Sequence, residues 1–89
     1  MGPSFAEIRA DEIQVGMLIV ASTRTGGPFE PARSWSDVTS TEHVIATEIL
    51  KASDGTSLVK VVAVRKGVGV PEQEVLRFFP VDQIVQDVR

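Results

Sequence analysis

The chain has no cysteine and no tyrosine, and only one histidine and one tryptophan. Without thiols there are no disulfide staples and no thiolate metal centres, which fits a reducing compartment. Nucleophilic chemistry is then left to serine or threonine, and either needs a base. The sole histidine, His43, can be grouped on paper with Ser40 and Asp54, but no nucleophile-elbow sequence surrounds them. His43 reads instead as a strand residue, exposed or bonded to a backbone carbonyl. A metal site from Glu42, His43 and Glu48 fails on parity, because a strand sends His43 and Glu48 to opposite faces. The acidic pairs Asp11-Glu12 and Glu72/Glu74 fall in turns and strand starts, where carboxylates are solvated. Thr25-Gly26-Gly27-Pro28 lacks the Gly-Lys-Ser/Thr ending and the following helix of a phosphate loop. The expectation is a protein that is not an enzyme and uses neither metal nor cofactor.

Long apolar runs are missing too. The longest, around Met17-Leu18-Ile19-Val20-Ala21, is far short of the roughly 20 residues that a membrane helix needs. Met1-Gly2-Pro3-Ser4 shows no basic region leading into an apolar segment, so no signal peptide is expected and a soluble cytoplasmic protein is. An excess of positive charge is also lacking. The net charge is −3, and the acidity sits at the two ends, in Glu7, Asp11 and Glu12 and again in Glu72, Glu74, Asp82 and Asp87. The centre is near neutral and has no basic stripe, which argues against nucleic acid as a partner.

What remains is a chain of 89 residues, 43% hydrophobic and rich in valine and isoleucine, the composition of one small β domain spanning 1–89. Phe5–Ala10 alternates loosely and predicts a short strand, with one or two helical turns through Ile13 as the alternative. Ala10–Gly16 predicts a tight turn ending in a glycine that can take positive φ. Met17–Ala21 predicts a strand buried on both faces. Residues 23–41 hold two of the prolines and many serines and threonines, and predict a long loop, with room for a helical turn around Ser34–Val38. Glu42–Lys66 predicts a hairpin folded on Asp54-Gly55, because Asp-Gly between alternating runs favours a type I′ turn. With a two-residue loop, Val44, Ala46, Glu48 and Leu50 share a face with Val59, Val61, Ala63 and Arg65. Ile45, Thr47, Ile49 and Lys51 share the other with Leu58, Lys60, Val62 and Val64. Both faces are apolar, so a core covers one and something else must cover the second. Lys66–Gln73 predicts a loop, Glu74–Phe79 a strand ended by Pro80, and Ile84–Val88 a closing strand after a turn.

The strand entering at Ile13–Val20, the Asp54-Gly55 hairpin and the Phe79-Pro80-Val81-Asp82-Gln83-Ile84 exit together resemble a small SH3-like β-barrel. Orphan proteins of actinobacteria and their phages look similar. The resemblance implies an all-β, partly open barrel of five or six mostly antiparallel strands with a long early loop. The aromatic- and Tyr-lined groove of peptide-binding SH3 domains is not present in this composition, and RNA-binding small barrels carry more Lys and Arg. Phe29, Arg33 and Trp35 lie close together in the long loop, and Trp and Arg are residue types that carry binding energy at interfaces. They are the candidate protein-binding residues, against the alternative that Phe29 and Trp35 fold back and close one end of the barrel. The expected function is a protein-interaction module, self-associating through the Glu42–Lys66 hairpin or acting on a host protein as a small bacterial or phage accessory. The alternative is a nucleic-acid-binding barrel using Arg24, Arg33, Lys60, Arg65 and Lys66.

Overall fold

The hairpin turn sets the register of everything around it. In the computed structural model, which describes residues 5–23, 32, 34–67 and 69–88, Gly55 has φ +89° and no other residue type among them has positive φ. Asp54 therefore does not adopt the left-handed conformation that a type I′ turn demands at both central positions. The loop is instead three residues, Ser53-Asp54-Gly55. The Ala52 N–H donates to Thr56 O at 2.8 Å, and the Gly55 N–H donates to Ala52 O at 3.1 Å. The Asp54 carboxylate accepts from the Thr56 N–H at 3.0 Å and from Thr56 Oγ1 at 2.7 Å, which holds the turn while Asp54 keeps a negative φ. These bonds hold the Asp54 carboxyl below its ordinary value. A lowered pKa means that the turn gains its full support above the ordinary aspartate range and loses it as pH falls through the lowered value. In an acid titration the Thr56 amide should lose its hydrogen-bonded shift in that range, and Asp54→Asn should abolish the transition. Nothing lies within 4 Å of a Cβ built on Gly55. Gly55→Ala should thus cost only backbone strain, about 1–2 kcal/mol by urea denaturation.

Six strands follow from the chain's β-branched runs: β1 (Phe5–Arg9), β2 (Leu18–Thr23), β3 (Val38–Lys51), β4 (Ser57–Gly67), β5 (Val70–Pro80) and β6 (Ile84–Val88). They form one antiparallel sheet in the order β1-β6-β2-β3-β4-β5, which is curled but not closed. The fold is all-β. Two 3₁₀ turns, Ala10–Glu12 and Trp35–Asp37, punctuate it. The expected loop at 23–41 is shorter at both ends, since Thr23 finishes β2 and Val38–Thr41 open β3. The expected loop at 66–73 is also mostly strand. Pro71 is tolerated in β5 because β5 is an edge strand, where a missing N–H need not break a ladder.

The three-residue turn shifts the hairpin pairing by one from a two-residue loop. Leu50 faces Leu58, Ile49 faces Val59 and Thr47 faces Val61. A bulge at Ile45, between Val44 and Ala46, shifts it by one again, so that Val44 faces Ala63 and Glu42 faces Arg65. The two-residue-loop reading of the faces is thus right at the base of the hairpin and wrong at its tip. Thr47 and Ile49, not Ala46 and Leu50, share a face with Val59 and Val61, and the bulge places Glu48 on the same face as His43, not on the opposite one as strict alternation predicted.

The core lies in the concave side of the sheet and comprises Ile8, Ala10, Ile13, Ile19, Val44, Val59, Val61, Ala63 and Val85, with Met17, Val75, Phe79 and Val81 packed against it. Two clips close it. The Ala10 N–H donates to Gln83 O and the Asp11 N–H to Val81 O, tying the turn after β1 to the turn before β6. The Gly16 N–H donates to Val44 O while the Val44 N–H donates to Met17 O, fixing the start of β2 on β3. On the convex side, Ala32 is buried beside β6. Its N–H donates to Gln86 Oε1 at 2.7 Å and its carbonyl accepts from Gln86 Nε2 at 3.0 Å.

Candidate interaction surface

Past the bulge, the convex face of β3, β4 and β5 is built from alternate residues of three neighbouring strands. Leu50, Leu58 and Pro80 form one cross-strand row, Glu48, Lys60 and Phe78 the next, then Ala46, Val62 and Leu76, and then His43, Val64 and Glu74. Two of these rows, Leu50–Leu58–Pro80 and Ala46–Val62–Leu76, are wholly apolar, and the row between them pairs Glu48 with Lys60 beside Phe78. Leu76 and Phe78 are 56% and 51% exposed. Both stand on the edge strand, with half-buried Leu58 and Val62 beside them. At the base of the same face, an open groove of about 280 Å³ runs between Trp35, Val38, Thr41, Lys66 and Gly67.

Trp35 borders that groove. It is 48% exposed, and one face of its indole stacks on Phe5 with ring centroids 6.4 Å apart and planes 19° from parallel. It therefore packs on one side and meets solvent on the other, between the two readings taken from the sequence. Phe29 and Arg33, its proposed companions, lie outside the described residues, as does Arg24. His43 is exposed on β3, and Asp54 sits in the turn beyond the far end of that strand from Ser40, so the three do not converge.

The concave face carries a charge cluster that the sequence reading did not single out. Glu42, whose side chain is only 6% exposed, accepts from Arg65 Nη2 at 3.1 Å, from Arg77 Nε at 3.0 Å, and from Arg77 Nη2. The two guanidinium side chains are 34% and 32% exposed. A buried carboxylate needs this, because desolvation is offset only by close, well-directed donors. The cluster walls a small cavity of about 60 Å³, lined also by Ile19, Ala21, Phe79 and Val85. The signal available in the sequence was parity alone, since Glu42 stands two residues before Val44 and so shares its inward face. Its second partner, Arg77, is 35 residues away and could not be read from local spacing.

The same cluster bears on the basic residues considered for nucleic acid. Arg65 is committed to Glu42 on the concave side, while Lys60 lies opposite Glu48 on the convex side and Lys66 is 3.5 Å from Glu72. They do not form a single basic track. Comparison of the chain with protein-family models, with curated proteins and with solved structures gives no match. Among the described residues, no helix is long and apolar enough to cross a membrane.

Proposed function

We propose that this protein is a non-enzymatic interaction module that binds a protein partner through the convex face of β3, β4 and β5. The observation that carries this reading is the exposure of Leu76 and Phe78 side by side on an edge strand, next to half-buried Leu58 and Val62. Large apolar side chains grouped in this way lose free energy in water and regain it against a partner, at about 25 cal/mol per Å² covered. Trp35 extends the face at its base with an aromatic ring open on one side. Strand order also supports the likeness to a partly open SH3-like barrel: β2 to β5 form a meander, and β6 returns after a short turn to lie beside β2. A nucleic-acid surface gains no comparable support, since among its described cations Arg65 lies on the opposite face from Lys60 and is bound to Glu42.

A bait of the intact chain in lysate of the cells that express it should retain a protein. Phe78→Lys should reduce that retention by about tenfold, the scale of a lost interface anchor. Glu7→Lys, on the exposed side of β1, should leave it unchanged. Equal retention by all three baits, or none by any, would remove the reading.

A further inference from the structure

We infer that β5 is a self-pairing edge, and that a second copy of this chain adds its own β5 antiparallel to it through residues Val75–Phe79. This rests on the interaction reading above and names the partner of one margin of that face. β5 has 11 residues, and among the described residues its ladder is formed with β4 alone. About half of its backbone N–H and C=O groups consequently point away from the sheet, the arrangement that templates another strand.

Edge strands are normally guarded by charge, proline or a bulge. Here the guards are unequally placed. Pro71, Glu72 and Glu74 stand in the first half, and Pro80 closes the end. Between them lie Val75, Leu76, Arg77, Phe78 and Phe79. The one charge in that stretch, Arg77, is drawn away from the edge, because its guanidinium reaches across β4 to Glu42 on β3. The unguarded half is therefore apolar on both faces.

An antiparallel pair about a two-fold axis keeps residues of the same parity opposite one another. Centred on Arg77, it sets Leu76 against Phe78 of the second copy on the convex face, and Val75 against Phe79 on the concave face. Both apolar pairs are matched at once. The acidic half of each strand lies outside the paired stretch, where Glu74 meets Pro80 of the second copy instead of another carboxylate. Moving the centre to Val75 instead sets Glu74 against Leu76 and Glu72 against Phe78, which leaves the apolar side chains facing charge. The two Arg77 residues face each other at the axis, each turned toward its own Glu42. A contact of this length covers less than a standard interface of about 800 Å² per partner, so a dissociation constant on the order of 10–100 µM is expected.

Sedimentation equilibrium of the intact chain from about 1 µM to about 1 mM should show monomer passing to dimer over that range. Leu76→Lys and Phe78→Lys should each weaken the dimer by at least about tenfold, and both should keep the wild-type far-UV spectrum because both positions are more than half exposed. The absence of native cysteine allows a direct register test. Leu76→Cys mixed with Phe78→Cys should give a disulfide dimer under mild oxidation, several-fold faster than either variant alone. A dimer that survives both lysine variants, or equal crosslinking by all three samples, would overturn the inference. So would a chain that stays monomeric at 1 mM; if the bait experiment still retained a partner that Phe78→Lys loses, the interaction reading would stand while self-pairing failed.

Discussion

Replacing Glu42 with leucine is expected to destabilise the protein by about 2–4 kcal/mol, seen as a lower urea midpoint with an unchanged slope. The loss comes less from attraction forgone than from what is left behind. Glu42 accepts from the side chains of both Arg65 and Arg77, and removing it leaves two like charges side by side at the rim of the concave face. Removing one partner of a fully buried ion pair costs about 3–5 kcal/mol. The range here is lower because each guanidinium is about one-third exposed and can recover part of its hydration. The cluster as a whole is a different matter. Glu42→Leu combined with Arg65→Leu and Arg77→Leu should return most of the lost stability, because the well-packed apolar substitute avoids three desolvation penalties. If the triple variant were as unstable as the single one, the arginines would be acting through their aliphatic stems and not through charge.

Val44→Asp is expected to leave the chain unfolded at 25 °C. Val44 is almost fully buried, faces Ala63 across the hairpin and sits where both clips to Gly16 and Met17 converge. The nearest cation on that face of β4, Arg65, is already engaged by Glu42, so an ionised carboxylate at that position is left without a partner, and its burial costs more than the few kcal/mol available to a domain of this size. The graded series makes the argument quantitative. Val44→Ala should cost about 2 kcal/mol for two lost methyls and the space they leave. Val44→Thr should cost about 1–3 kcal/mol, since the shape is kept and only a hydroxyl is buried. Far-UV circular dichroism is the suitable readout, because the single tryptophan is half exposed in the folded protein and reports weakly on the core.

The strand centres were legible because valine, isoleucine and proline act locally, although β3 and β5 begin at Val38 and Val70, earlier than expected: Pro80 ends β5 and Gly16 takes its positive φ as composition implies. Two local competitions were not legible. At the turn, the Asp54 carboxylate prefers two bonds to Thr56, and that choice lengthens the loop by one residue. Along β3, an extra residue at Ile45 shifts the pairing by one again. Each shift exchanges the faces of the residues beyond it, so together they mislead only at the hairpin tip. Neither event has a composition signal, since alternation in Val44–Lys51 looks regular on paper. The candidate surface was half legible. That a two-sided apolar hairpin needs cover on both faces followed from the sequence, and among the described residues the convex face keeps Leu58 and Val62 only half-buried. Its most exposed members, Leu76 and Phe78, belong to β5, outside the hairpin from which it was inferred. Glu42 was hidden for a third reason: the partner that secures it comes from another strand far along the chain.

The clasp between Gln86 and Ala32 has a consequence for the order of folding. It joins residues 54 apart in sequence, and the Gln86 amide is in position only after β6 has paired with β1 and β2. Closing so long an intervening chain is slow compared with forming the β3–β4 hairpin, whose partners are near neighbours. Refolding followed by pulsed hydrogen exchange should therefore protect the hairpin amides first and the Ala32 amide among the last. Gln86→Ala should speed exchange at Ala32 selectively while leaving the early phase unchanged. One amide side chain thereby serves as a latch that records whether the whole sheet has assembled.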